Sequence, residues 1–156
     1  MSHYQPRLHV VLYQPEIPFN TGSVGRTCVA VGAKLWLVRP LGFRVDDAHL
    51  RRSGLDYWQR LEWEVVDDWQ QLGTKLPLSR AWLFTKTAQR SYVEPSFEEE
   101  DVFVFGSESR GLPRSLLTEI PERALRIPIR SDVRSLNLSN SVAVAAYEAL
   151  RQWQQR

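Results

Sequence analysis

The chain has 156 residues, 43% of them hydrophobic, which predicts a single domain over residues 1–156 with its own core. Its 20 basic and 18 acidic residues give a net charge of only +2, so total charge alone does not indicate a nucleic-acid-binding protein. One cysteine, Cys28, excludes an internal disulfide, and three histidines without ligand spacing predict no metal site. With neither an apolar run of about 20 residues nor a secretory signal pattern, we expect a cytoplasmic protein outside the membrane.

Short apolar runs recur along the chain and predict strands of the buried kind. These runs are Leu8–Tyr13, Lys34–Val38, the weaker Trp63–Val66, Ala81–Thr85, Val102–Phe105 and Leu125–Ile129. Helical patterns lie between them. The alternation predicts an α/β fold with a mostly parallel sheet and helices on both faces. In such sheets ligands bind at the carboxyl ends of the strands.

The helical patterns carry recognisable start and stop signals. Val24, Cys28 and Val31 share one helix face, and Gly32 follows as a C-terminal stop. An aspartate near residue 67 is predicted to cap the next helix, and a proline to lie in the first turn of the helix that starts near Leu112. The last helix is predicted to bury four residues at helical spacing, namely Val142, Ala145, Ala149 and Trp153.

Three polar stretches follow predicted strands. In the first, residues 13–27, Asn20 or Thr21 is predicted to cap a helix, and Gly22 allows a ligand or another chain to approach the backbone closely. The composition alone favours an ordinary capped helix with a solvated arginine. The second, residues 106–113, is a glycine-bounded turn entering a helix, either a ligand site or a solvated loop. The third, residues 134–140, has more serine and asparagine than one helix start needs, which favours a binding site.

Several chemistries are excluded by absent motifs. The chain has no GxGxxG and no Walker A sequence, so the standard dinucleotide and P-loop sites are excluded. Glu108 stands where a nucleophile elbow needs serine, and no histidine follows His49 to complete a hydrolase triad. The acidic runs at residues 46–47 and 98–101 are more typical of a solvated surface than of paired catalytic carboxylates.

The stretches "PEIPFNTGSVGR", "FGSESRGLP" and "RSLNLSNSVAVAAYEALRQ", in this order and each after a strand, resemble the three motifs of the SPOUT class of RNA methyltransferases. The segment "LGFRVDDAHLRRSGLDYW" is similar to the small TrmL-type subfamily, which methylates the ribose 2′-oxygen of the tRNA wobble nucleotide. The resemblance extends over Leu8–Trp153. It implies a C-terminal deep trefoil knot, S-adenosylmethionine as methyl donor, no metal, a homodimer, and the tRNA anticodon stem-loop as partner.

The resemblance also implies roles for individual residues. The catalytic set is Arg26, Asn20, Glu108, Ser135 and Asn137. The donor-binding set is Phe84, Thr85, Gly106, Ile127, Ile129, Ser135 and Leu136. The expected RNA phosphate partners are Arg44, Arg51, Arg52, Arg90 and Arg134, with the dimer building the RNA site.

Within the resemblance, Arg26 is cast as the acceptor of the hydroxyl proton and Asn20 as the residue that orients it. A guanidinium, with a pKa above about 12, is a poor base, so a phosphate contact that orients the hydroxyl is physically easier. Two features depart from the family pattern: Ser23 replaces an asparagine, and Gly25 lies inside the helix, where glycine costs about 1 kcal/mol. The alternative functions are methylation of another tRNA site or of ribosomal RNA, and a non-catalytic role as an RNA-binding or assembly module.

Overall fold

The computed structural model describes residues 4–46, 48–50 and 57–154. Six strands form one sheet in which every pairing between strands is parallel, in the order β3-β2-β1-β5-β4-β6. They are β1 (Leu8–Tyr13), β2 (Ala33–Val38), β3 (Trp63–Val66), β4 (Ala81–Phe84), β5 (Val102–Phe105) and β6 (Ala124–Leu125). The predicted parallel sheet is therefore confirmed, while the trefoil knot implied by the resemblance stays a prediction.

Among the described residues, the helices with complete bounds cover the two faces of this sheet. They are α1 (Pro18–Val31), α2 (Trp69–Gly73), α3 (Arg114–Glu119) and α4 (Leu138–Gln154), with short 3₁₀ turns at Leu78–Arg80 and Pro121–Arg123. One core cluster contains the buried sides of α1 and α4, and the other contains Leu72 of α2 and Leu116 of α3. The residues predicted to face the core from α1 and α4 are all buried, so both periodicity predictions are confirmed.

Two predicted helix boundaries are also confirmed. Gly32 ends α1 in the left-handed conformation, with φ of 78°, which glycine adopts at low cost. Asp68 caps α2 by accepting a hydrogen bond from the Gln71 amide at 2.8 Å. At α3 the prediction was off by one position, because Pro113 is the N-cap residue and the helix starts at Arg114.

The predicted cap of α1 and the extent of the sixth strand are wrong. Helix α1 begins at Pro18 behind Ile17, which makes no side-chain cap, so Asn20 and Thr21 lie inside the helix. The sixth strand ends at Leu125 and does not reach residue 129. After it the chain pairs with another segment, since the Arg126 amide donates to the Arg90 carbonyl at 2.8 Å.

The strand order positions the candidate site. From β1 the chain moves outward through β2 to β3, then crosses to the other half of the sheet, where β5 lies against β1. The crevice at the carboxyl ends of β1 and β5 is where ligands bind in open parallel sheets. The first and second polar stretches follow these two strands. Within the described part of the chain, no helix has the length and apolar character to cross a membrane.

Candidate active site

Glu108, in the second polar stretch, binds the start of α1 in the first. Its carboxylate accepts hydrogen bonds from the backbone amides of Glu16 (2.8 Å) and Ile17 (2.9 Å) and from Nδ2 of Asn20 (3.1 Å). Because Ile17 provides no side-chain cap, a carboxylate from a distant loop supplies the negative charge that the amino end of a helix favours. Glu108 is thus a positioning group whose oxygens are already engaged.

Glu16 makes the reciprocal contact. Its Oε1 accepts hydrogen bonds from the backbone amide of Ser109 at 2.8 Å and from the Ser109 hydroxyl at 2.6 Å. The hydrogen bond from the Ser109 side chain, followed by that from its backbone, lowers the pKa of the Glu16 carboxyl. Two glutamates therefore bind the first and second stretches to each other in both directions.

Asn20 joins the third stretch to this pair. Its Oδ1 accepts a hydrogen bond from Nδ2 of Asn137 at 3.2 Å, while its Nδ2 donates to Glu108. Asn137 in turn caps α4, because its Oδ1 accepts from the Asn140 amide at 3.2 Å and from the Ser139 hydroxyl at 2.6 Å. A single side-chain amide thus contacts the two other polar stretches that the sequence singled out.

A polar cavity of about 260 Å³ opens beside these contacts. Its lining residues are Glu16, Ile17, Glu108, Ser109, Arg134 and Ser135. Lys86, from the loop after β4, donates to the Arg134 carbonyl at 2.7 Å and so connects a fourth loop to the rim. The structure therefore brings Ser135 and Glu108 to one cavity, next to Asn20 and Asn137.

Arg26 lies apart from this network. It is exposed and six residues after Asn20, about 9 Å further along the helix axis. Its guanidinium carbon lies 4.8 Å from the centre of the Tyr57 ring, a cation–π contact. The predicted contact between Asn20 and Arg26 is not among the hydrogen bonds of the described residues, since the Asn20 amide is bound to Glu108 and Asn137.

Gly25 accounts for the position of Tyr57. A Cβ atom at Gly25 would lie 3.0 Å from Cδ2 of Leu61 and 3.3 Å from Cζ2 of Trp58, so the glycine lets the turn at residues 57–61 pack closely on α1. That turn carries Tyr57 over Arg26. Sequence reasoning missed Tyr57, and the signal that could have found it was the glycine in the helix interior, which often marks a close approach.

The predicted donor-binding residues lie at the carboxyl ends of three neighbouring strands. Phe84 ends β4 and stacks on Phe105 with ring centres 4.6 Å apart, and the Thr85 amide donates to the Leu125 carbonyl at 2.9 Å. Gly106 follows β5. A Cβ there would lie 2.1 Å from the carbonyl carbon of Gly111, so the loop's own backbone requires this glycine.

The apolar residues predicted for the donor pocket differ in exposure. Ile127 packs against the core, Ile129 is half-buried, and Leu136 is 36% exposed although it is a large hydrophobic residue. Apolar side chains combined with a few hydroxyl groups are the mixture that small-molecule sites use. These residues fit a nucleoside-containing ligand such as S-adenosylmethionine. Among the described residues, no group of three or more His, Cys, Asp or Glu is arranged to hold a metal ion.

The arginines predicted to contact RNA are divided between the two halves of the sheet. Arg44 follows β2, pairs with Asp46 at 3.2 Å and lines a second cavity of about 390 Å³. Arg90 lies near β6 at the opposite edge, and Arg134 lies at the candidate site. Arg51 and Arg52 are outside the described residues.

A parallel sheet with three polar loops joined at its carboxyl edge is consistent with a methyltransferase of the SPOUT class. A model of the SpoU rRNA methylase family matches residues 7–147. The chain therefore belongs to the SpoU rRNA methylase family.

Similar proteins share both the sequence and the fold. The chain is 48% identical over 147 residues to the tRNA (cytidine(34)-2′-O)-methyltransferase of Burkholderia cenocepacia, covering 92% of this chain and 94% of that protein. A solved structure from work on 2-OH methylation of C/U34 on tRNA is 46% identical, with a TM-score of 0.91 over 96% of this chain and 97% of the other. The SpoU methyltransferase AviRb of Streptomyces viridochromogenes, solved with the cofactor AdoMet, has a TM-score of 0.85 over 96% of this chain and 59% of its own, and at 22% identity it shares the fold alone.

Proposed function

We propose that this protein transfers a methyl group from S-adenosylmethionine to the ribose 2′-hydroxyl of the wobble nucleotide of tRNA, a cytidine or a modified uridine. The observation that carries the proposal is the Asn20 amide, which binds Glu108 of the second stretch and Asn137 of the third at the carboxyl edge of the sheet. Similarity over nearly the whole length to enzymes named for this reaction supports the choice of substrate.

The loops after β4, β5 and β6 would hold the methyl donor. Phe84, Thr85, Gly106 and the segment from Ile127 to Leu136 are proposed to surround it, with backbone groups and hydroxyls as polar partners. When bound, the donor supplies a methyl group already activated by the positive sulfur next to it. The half-buried Ile129 and exposed Leu136 would supply apolar surface for a base ring.

The chain's own residues would position the ribose. In the transfer, the 2′-oxygen forms a bond to the methyl carbon, the carbon–sulfur bond breaks with its electron pair kept by sulfur, and the hydroxyl proton passes to solvent water. Correct alignment of the reacting atoms can supply much of the rate. The hydrogen bonds among Glu16, Glu108, Asn20 and Asn137 hold the three polar stretches in fixed relation to one another. Arg26, always charged, is proposed to bind the adjacent phosphate and orient the hydroxyl.

We also propose that the enzyme works in the cytoplasm as a homodimer. Large apolar side chains are exposed at the start of α1 (Ile17, 45%, and Phe19, 46%) and on α4 (Val144, 38%, and Tyr147, 52%). Such exposed apolar surface supports burial against a second subunit. A 156-residue chain has little surface for a tRNA, so the second subunit would add basic side chains.

The test is methyl transfer from labelled S-adenosylmethionine to unmodified bulk tRNA, followed by nuclease digestion and mass spectrometry. We expect a 2′-O-methyl group on nucleotide 34. Label at another tRNA position, or in ribosomal RNA only, would contradict the substrate assignment. Absence of both transfer and donor binding would favour a non-catalytic assembly module.

A further inference from the structure

Two guanidinium groups share one indole ring at the edge of the sheet. The Arg123 carbon Cζ lies 3.6 Å from the centre of a Trp82 ring, and that of Arg90 lies 5.4 Å from it. Arg123 is fixed there because its Nε donates to the Ala81 carbonyl at 2.9 Å. Two positive groups are therefore held close together, where each raises the cost of charging the other.

No acidic side chain of the described residues forms a salt bridge with this pair. The buried carboxylate of Asp101 is already bound by Arg80 and by the Trp82 indole N–H. Burial lowers the pKa of Arg123; the charge of Asp101 opposes this effect, as does that of Glu122, while the charges of Arg90 and Arg80 add to it. A bound anion would relieve the repulsion, and a guanidinium matches a phosphate in both charge and geometry.

The chain carries this positive charge from the far end of β6 to the candidate site. Arg123 precedes β6, Arg126 follows it, and Arg130 and Arg134 come at intervals of four residues, with Arg134 at the site cavity. The Arg126 amide binds the Arg90 carbonyl at 2.8 Å, which places Arg90 beside the same segment. Because β6 is the last strand of the sheet, Arg123, Arg126 and Arg90 lie at this edge, while Arg134 lies at the cavity that follows β1 and β5.

We infer that Arg90, Arg123, Arg126, Arg130 and Arg134, together the arginine track, bind the phosphate backbone of the double-helical stem that adjoins the target loop of the tRNA. The inference rests on the proposed function and adds where the substrate lies. A nucleotide in the site cavity fixes one end of the RNA, and its stem then runs along the β6 edge. Phosphate contacts of this kind set position and orientation and carry no sequence information.

The acidic residues within the track do not cancel it. Segment 122–134 contains four arginines but only two acidic residues, Glu122 and Asp132. Asp132 pairs with Arg130 at 2.8 Å, and both side chains are largely exposed, so a phosphate can exchange with the carboxylate at little cost. The low net charge of the whole chain thus hides a local excess at this edge.

The test compares two double variants that remove the same charge. Arg90→Gln/Arg126→Gln alters the track, and Arg60→Gln/Lys75→Gln alters the region of β3 at the opposite edge. Binding is measured at several salt concentrations with full-length unmodified tRNA, with the isolated anticodon stem-loop, and with a single-stranded oligonucleotide of the loop sequence. Circular dichroism confirms folding. If the track double variant does not fold, Arg130→Gln, whose side chain is 81% exposed, replaces it.

We expect the track variant to bind both stem-containing RNAs about 10-fold or more weakly, and its slope of log K against log salt to fall by about 1 to 2. The stemless oligonucleotide and the control variant should bind as in the wild type. The proposal would be overturned if the control variant lost as much affinity, if affinity for the stemless RNA fell equally, or if the track variant lost no affinity at all. Wild-type protein that binds tRNA through the track but transfers no methyl group would reject the proposed reaction alone, and normal transfer with unaffected track variants would reject the track alone.

Discussion

Glu108→Gln isolates the contact between the second polar stretch and α1. The carboxylate accepts three N–H groups, from Glu16, Ile17 and Asn20, whereas the glutamine amide offers one oxygen and turns an NH₂ toward donors. At least one donor loses its partner. A hydrogen bond to a charged group contributes about 1.5–3 kcal/mol, and because Glu108 is half-buried, water compensates in part, so we expect about 1.5 kcal/mol. For a domain of this size, this corresponds to a fall in Tm of about 3–6 °C.

Methyl transfer should fall further than stability does. The loss of a hydrogen bond shifts the start of α1, which holds Asn20, and displacement of a positioning group by about 1 Å can cost about 100-fold in rate. We would measure thermal unfolding by circular dichroism and kcat/KM on tRNA, with Glu119→Gln, exposed on α3, as the matched control. Wild-type melting and wild-type activity would refute the argument from hydrogen bonding. Lost activity with an unchanged Tm would instead assign the carboxylate a direct part in the chemistry.

Four further substitutions or conditions test separate parts of the structure. Arg26→Ala should abolish transfer while calorimetry still detects binding of S-adenosylhomocysteine, and retained activity would remove this arginine from the mechanism. Tyr57→Ala should lower kcat/KM about 2- to 5-fold, as expected for one exposed cation–π contact, while Tyr57→Phe keeps the ring and the activity. Gly106→Ala should lower the free energy of unfolding in urea by about 3 kcal/mol or more, because the added Cβ would overlap the Gly111 backbone. A soluble variant with wild-type stability would contradict this expectation. Burial and then nearby positive charges lower the pKa of His9 from 6.5 to about 4, so the unfolded chain binds the extra proton between these values. The contribution of His9 to the free energy of unfolding should be fully present above pH 6.5. It should fall by about 2 kcal/mol as the pH drops to 4, after a discount for partial exposure. In the His9→Asn variant the free energy of unfolding should depend less on pH in this range.

Local patterns predicted the strands and the buried helix faces because both depend on side chains close in sequence. Five of the six predicted strands differ from the observed ones by one residue or less at either end. The sixth did not extend to residue 129, because Arg126 pairs with the segment around Arg90 and Pro128 lacks an N–H to continue a ladder. The tertiary pairing of Arg126 therefore set the end of this strand, which the strand propensity of its residues did not predict.

The candidate site was predicted in outline but not in its contacts. The rule that ligands bind at the carboxyl ends of strands placed all three polar stretches together. It could not assign partners. The start of α1 is stabilised by Glu108, about 90 residues away, so a search for a local cap selected Asn20 and Thr21 instead. Asn20 then proved to bind across the loops rather than along its own helix.

The shared amide of Asn20 limits how this family member can evolve. A substitution at Asn20, Glu108 or Asn137 removes a partner from another of the three, so combined substitutions should be non-additive and single changes hard to compensate. Neutral drift would then be slow in all three motifs at once, although they are far apart in the chain. Retargeting the protein to a different nucleotide by directed evolution should therefore begin with exposed side chains outside this network, such as Arg130, which is 81% exposed.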